Sequence, residues 1–201
     1  MIVHNEINQN SPEWFQIRCG KLTASDAQAI ATRGKGLETL VAKKVAEILT
    51  GEAEENGYTN QFMENGHTLE DDARIAYELE TGNIVDCVGF CERDKWSGAS
   101  PDGMVGEDGL VEIKNKIGYL FVLEMLDDKI DSGHYWQTQY QLWVTGRQWC
   151  DYLVHNPRFP KKLIIKRVTR DEDAIAKIEA GVNDGIAQIE SMLAQIKCLS
   201  I

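Results

Sequence analysis

Asp102 and the triplet Glu112-Ile113-Lys114 are the residues whose types and spacing could do hydrolytic chemistry. Between them lies Gly106-Glu107-Asp108-Gly109, a turn-forming stretch flanked by two runs, 103–105 and 110–114, that read as strands. Folding residues 102–105 back on 109–112 about a loop centred near 107 sets Asp102 opposite Glu112, with both side chains on one face. Strand alternation places Lys114 on that face and sends Val111 and Ile113 to the other, where apolar residues belong in a core. Two adjacent carboxylates repel, so a fold keeps them together when a cation compensates, and a small set of oxygen ligands suits Mg²⁺. Such an ion lowers the pKa of bound water, polarises a phosphodiester and stabilises the leaving oxygen, while a nearby lysine orients the water or helps deprotonate it. That is hydrolysis without a covalent intermediate. The same spacing also arises by chance, with Asp102 and Asp108 as turn residues and Glu112 and Lys114 as a solvated pair on a strand.

The elements that would position these groups are legible as changes of period. Residues 61–81 form an acidic helical run closed by Gly82, and Glu70 lies three and seven residues before Ala73 and Tyr77 on its apolar side. Glu70 therefore reads either as a third ligand or as one acid in a helix start rich in acids. Ser11-Pro12-Glu13 predicts a helix to about Arg18, and Thr23-Ala24-Ser25-Asp26 offers a cap before a second short one. A helix over 37–50 closes at Gly51. Strands are predicted over 84–91, 149–156 and 163–169, and helices over 119–127, 134–145 and 173–199. This order predicts a mixed α/β architecture, a central mixed sheet flanked by helices, in one domain spanning 1–201.

Composition narrows the class. With 43% hydrophobic and 26% charged residues the chain has a globular balance, which argues against disorder. Met1–Glu6 lacks the features of a secretion signal, and no apolar run approaches the roughly 20 residues of a membrane span, so a cytosolic protein with no membrane partner is expected. Five scattered cysteines predict free thiols; Cys87 and Cys91 could share a strand face and bind metal, or be ordinary buried thiols. The net charge of −11 points away from nucleic acid, yet residues 151–170 carry Arg158, Lys161, Lys162, Lys166, Arg167 and Arg170 against Asp151 alone. A cleft or channel can be positive on an acidic protein.

Ser100-Pro101-Asp102-Gly103 followed by Glu112-Ile113-Lys114 resembles the S-P-D-G…E-[LI]-K core of phage lambda-type exonucleases, the alkaline exonuclease branch of the PD-(D/E)XK nuclease superfamily. Segments 14–25, 66–74 and 137–145 look like that branch in the same order, so the resemblance runs from about residue 11 to 156. It implies a restriction-endonuclease-like core and a Mg²⁺-dependent 5′→3′ exonuclease, with two ions and Mn²⁺ able to substitute. Such an enzyme digests one strand of linear double-stranded DNA processively to 5′-mononucleotides, leaving a 3′ overhang for phage-type recombination by single-strand annealing. By the same resemblance, Asp102, Glu112 and the Ile113 carbonyl bind the metals, Glu70 completes the site and Lys114 acts on the water. The family's pocket for the 5′-phosphate corresponds to Arg18, Ser25, Ser100 and Gln137, and Arg18 there would act as an anion fork. Read without the family, Arg18 is a last-turn cation answering the helix dipole, Ser25 a helix cap and Gln137 a surface residue of an amphipathic helix. Trp14, Tyr135, Trp136, Tyr140 and Trp143 read first as packing residues and second as a surface for stacking bases.

The resemblance further implies a homotrimeric ring around DNA, a single-strand annealing partner and a phage or prophage protein of the bacterial cytoplasm. Arg33 and Lys35, in the loop 32–36, stand near where the family sends an arginine among the separating bases, and Met63 near its apolar wedge. One departure is Asn115-Lys116, where the family often carries cysteine and proline. The clustered C-terminal cysteines of the iron–sulfur branch are missing. A non-processive or endonucleolytic enzyme on the same core, and a non-catalytic DNA-end-binding protein, are the competing readings.

Overall fold

The computed structural model describes residues 1–53 and 61–199, without the side chains of 61–68. Along the chain run β1 (Ile2–His4), α1 (Pro12–Arg18), β2 (Leu22–Thr23), a 3₁₀ turn at Ala24–Asp26, α2 (Ala27–Thr32), α3 (Lys35–Thr50) and α4 (Gln61–Thr81). There follow β3 (Val85–Asp86), β4 (Phe90–Glu92), β5 (Ser97–Ala99), β6 (Gly103–Val105) and β7 (Gly109–Asn115). The chain continues with α5 (Gly118–Leu126), α6 (Ser132–Thr145), β8 (Trp149–His155), β9 (Leu163–Thr169) and α7 (Glu172–Leu199). Local chemistry sets the ends: Ser11 Oγ accepts the Trp14 N–H at the start of α1, Pro12 enters its first turn, and Gly51 and Gly146 close α3 and α6 in the left-handed conformation.

Where one central sheet was expected, two form. A four-stranded sheet has the order β1-β4-β5-β2, and a five-stranded mixed sheet the order β3-β6-β7-β8-β9, in which β7 and β8 are parallel. The predicted strand over 84–91 is split between them. Gly89 lies where the chain crosses from one sheet to the other, and a Cβ there would stand 1.9 Å from the Ile7 carbonyl oxygen, so the close approach requires glycine. The split also separates Cys87, exposed in the crossing, from Cys91, buried on β4, so they share no strand face.

The five-stranded sheet is covered on both sides. Val111, Ile113, Leu153 and Leu163 face Ala73 and Tyr77 of α4, while Tyr152, Val154 and Val168 receive Phe121 of α5 on the opposite face. Leu110, Leu142 and Cys150 fasten α6 to that second face. The larger core joins α2, α3, α6 and α7 with the four-stranded sheet. Beyond Phe121, α5 leaves Tyr119, Leu123, Met125 and Leu126 exposed. Among the described residues no helix is long and apolar enough to cross a membrane.

Candidate active site

The β6–β7 hairpin has the register anticipated from its turn: Gly103 pairs with Val111 and Val105 with Gly109. Asp102 N donates to the Val111 carbonyl at 3.2 Å, which continues the ladder by one residue and sets Asp102 opposite Glu112. The Asp102 carboxylate then turns onto the strand end, where Oδ2 accepts the Ile113 N–H at 2.6 Å. In a strand the N–H and C=O of one residue point to the same edge, so the Ile113 carbonyl is presented on the Asp102 side. Glu112 is 2% exposed and fully engaged. Its Oε1 accepts from Lys114 Nζ and from Gln137 Nε2, each at 2.6 Å, and its Oε2 accepts from Gln141 Nε2 at 2.6 Å.

Burial, and next the Glu112 carboxylate, push the Asp102 carboxyl well above its ordinary range; Lys114 and the Ile113 N–H oppose this, and Glu70 adds to it. For Lys114, burial works to lower the ammonium, but Glu112 and Asp102 outweigh it and the net shift is upward. Glu70 is thus near enough to act on both groups. It also shares with Asp102 a cleft of about 360 Å³, lined further by Gln9, Asp71, Arg74 and Val88. Gln9 Nε2 donates to the Val88 and Pro101 carbonyls, tying together the two places where the chain passes between sheets.

No three histidine, cysteine, aspartate or glutamate side chains among the described residues stand together as a ready-made metal cluster. The donor set nevertheless fits a hard cation: two facing carboxylates, an oxygen from the Ile113 backbone, and a charge balance that Lys114 alone leaves negative. The structure brings Asp102, Glu112, Ile113 and Lys114 together as expected, with Glu70 at the cleft wall.

Three of the four residues matched to a phosphate pocket are linked by side chains that sequence reasoning had not assigned to it. Arg18 lies 4.0 Å over the Trp14 ring and reaches Thr23 Oγ1 at 3.4 Å. Trp14 Nε1 donates to Ser100 Oγ at 2.8 Å, and Thr23 Oγ1 lies 3.0 Å from Ser25 Oγ. Burial lowers the Arg18 guanidinium to about 10 against the pull of Asp26 and Glu47, so it stays charged at neutral pH. Gln137 instead gives its amide to Glu112. Arg33 pairs with Asp184 of α7 at 3.0 Å, Lys35 opens α3, and the Met63 side chain lies outside the described residues. Of the basic run, Lys166 is bound to Glu124, Arg167 to Asp151 and Arg170 to Glu172, leaving Arg158, Lys161 and Lys162 exposed between β8 and β9.

Sequence and structure comparisons give consistent relatives. A family profile described as the YqaJ-like viral recombinase domain matches residues 13–148. The alkaline exonuclease LHK-Exo from Laribacter hongkongensis superposes with a TM-score of 0.86 at 34% identity, over 94% of this chain and 98% of that one. A structure of the same exonuclease in complex with dAMP gives the same values. A phage-related exonuclease from Haemophilus somnus shares the fold, with a TM-score of 0.67 at 14% identity over 88% of this chain and 96% of that one. Among curated proteins no match is found.

Proposed function

The chain belongs to the YqaJ-like viral recombinase domain family, and we propose that it serves phage-type recombination as a Mg²⁺-dependent 5′→3′ exonuclease on linear double-stranded DNA. The observation that carries this reading is the facing of Asp102 and Glu112 across the β6–β7 hairpin with Lys114 on the same face. Asp102, Glu112 and the Ile113 carbonyl would hold the ion, with Glu70 completing the set from α4. The chemistry a bound Mg²⁺ supplies is activation of water and polarisation of the phosphodiester; Mn²⁺ offers the same. Lys114, protonated and tethered to Glu112, donates a hydrogen bond that orients the attacking water toward the scissile phosphorus. Arg18, half-buried and held among the described residues by the Trp14 ring and one distant hydroxyl, has donors to spend on a 5′-phosphate, in a cluster that includes Ser25 and Ser100. The dAMP complex of the relative supports a nucleotide site in this fold.

Processive digestion to a 3′ overhang would follow from enclosure of the duplex by a homotrimeric ring, and the exposed apolar side chains of α5 supply a surface suited to subunit contact. The overhang would pass to a single-strand annealing protein.

End-labelled linear duplex bearing 5′-phosphate or 5′-hydroxyl termini, incubated with Mg²⁺ and separately with EDTA, tests the reading. Release of 5′-mononucleotides from phosphorylated ends in Mg²⁺ alone is expected. Equal recovery of DNA with and without chelator would make the chain an end-binding protein, and cleavage of circular duplex would make it an endonuclease.

A further inference from the structure

Gln141 sits on α6 one helical turn beyond Gln137, and both amides reach the same carboxylate. The two are not equivalent. Gln137 is half-buried, whereas Gln141 is 0% exposed and is the donor to Glu112 Oε2. Its own Oε1 is buried and has no hydrogen-bond partner among the described residues. Burying an amide with one end unsatisfied costs about 1–3 kcal/mol, and the neighbouring Leu142 packs against Leu110 and Cys150. The amide can face only one way, because turned over it would set Oε1 against a carboxylate oxygen.

We propose that Gln141 is a positioning residue that fixes the Glu112 carboxylate in the orientation in which it receives the divalent ion. The inference rests on the reading of Asp102 and Glu112 as ligands. A neutral donor is the group this task requires. Lysine or arginine at 141 would cancel the negative charge that attracts the cation, and a leucine would leave Oε2 without a donor and the carboxylate free to rotate. Gln137 and Lys114 both act on Oε1 and are only partly buried, whereas Gln141 is fully buried and acts on Oε2. Hydrogen-bond donors behind a metal-binding group typically set metal affinity or activity by about 10–100-fold.

The test is titration of the full-length chain with Mn²⁺, followed by electron paramagnetic resonance and without DNA, for the wild type and Gln141→Met, which keeps length and approximate volume. The expected result is a binding midpoint raised about 10-fold or more, with exonuclease rate recovered at excess Mn²⁺ and little change in thermal midpoint. A purely structural role would lower the thermal midpoint and leave the Mn²⁺ midpoint within about twofold of wild type, which overturns the inference. If Gln141→Met does not fold, Gln141→Leu is titrated against the same criteria. Failure of the wild-type chain to bind Mn²⁺ would overturn the metal reading itself, and is thereby distinguished from an unshifted midpoint in a wild type that does bind.

Discussion

At Asp102, burial and charge act in the same direction: desolvation and the facing Glu112 both disfavour its ionised form, and the hydrogen bond from Ile113 N holds it in place regardless. A fold gains no stability from such an arrangement, so Asp102→Ala should leave the thermal midpoint near wild type while abolishing Mg²⁺-dependent degradation of linear duplex. Lys114→Ala should cut the rate by on the order of 10²–10⁴-fold, the usual worth of a positioned proton-handling group. Wild-type rates in either variant would remove the hairpin from the reaction. Arg18→Ala belongs to the other end of the site. Loss of charge-assisted bonds worth about 1.5–3 kcal/mol predicts a fall of roughly 10–100-fold in kcat/KM on 5′-phosphorylated ends, and an equal fall on 5′-hydroxyl ends would contradict it. The hairpin residues were readable from sequence because a two-residue alternation and a turn suffice to decide which side chains share a face. The partners were not. Trp14 meets Ser100 across 86 positions and Gln141 meets Glu112 across 29, and nothing local to either residue encodes those meetings.

Between elements, helix and sheet are locked by polar contacts as well as by the core. Tyr77 of α4 donates to Asp151 Oδ2 at 2.7 Å, and Asp151 on β8 accepts a bidentate pair from Arg167 on β9, both bonds at 2.8 Å. This ties the helix carrying Glu70 to β8 and, through Asp151, to the edge strand β9, two turns from the carboxylate. Helix α7 is held differently, by proximity. A Cβ on Gly181 would lie 2.0 Å from the Ile30 carbonyl oxygen of α2, and backbone cannot step aside as a flexible side chain can. Gly181→Ala should therefore destabilise the fold by about 1–3 kcal/mol, read as a lower urea midpoint with an unchanged slope; an unaltered midpoint would mean the two helices can separate freely. The long helices were legible because their apolar period persists for several turns: the run 61–81 matches α4, and 173–199 falls one residue short of α7. β1, β2 and β5 were missed, since two or three residues are too few to display alternation. The segment 84–91 looked continuous because its composition carries no sign of the change of sheet except Gly89.

Across the whole molecule the sequence charge of −11 is a poor guide to local electrostatics, as the basic run shows: half of its cations are committed to ion pairs that hold strands and loops in place. Proton balance follows the same logic. Burial lowers the pKa of His155, which is 2% exposed and bonded through Nδ1 to Asn115 Oδ1 at 3.0 Å, with Lys162 assisting and Asp72 opposing. Burial, with Lys114 and Lys116, lowers His134 as well, against Asp131 and Glu112. Below an ordinary histidine pKa of about 6.5 the unfolded chain takes up protons that these two folded-state imidazoles refuse, so stability increases with pH through that window and falls as pH drops below it. Glu92 and Glu124, whose carboxylates are held low by Lys21 and by the pair Lys116 and Lys166 in spite of burial, lose stabilisation at still lower pH with the same sign. Asp102 runs the other way, because its raised carboxyl favours folding when protonated. The histidine contribution is separable. The urea midpoint should fall between pH 7.5 and 5.5 in the wild type, at pH values chosen to bracket about 6.5, and His155→Gln should shrink that fall by removing one of the two refused protons. An identical fall in the variant would place the acid sensitivity elsewhere than at the buried end of β8.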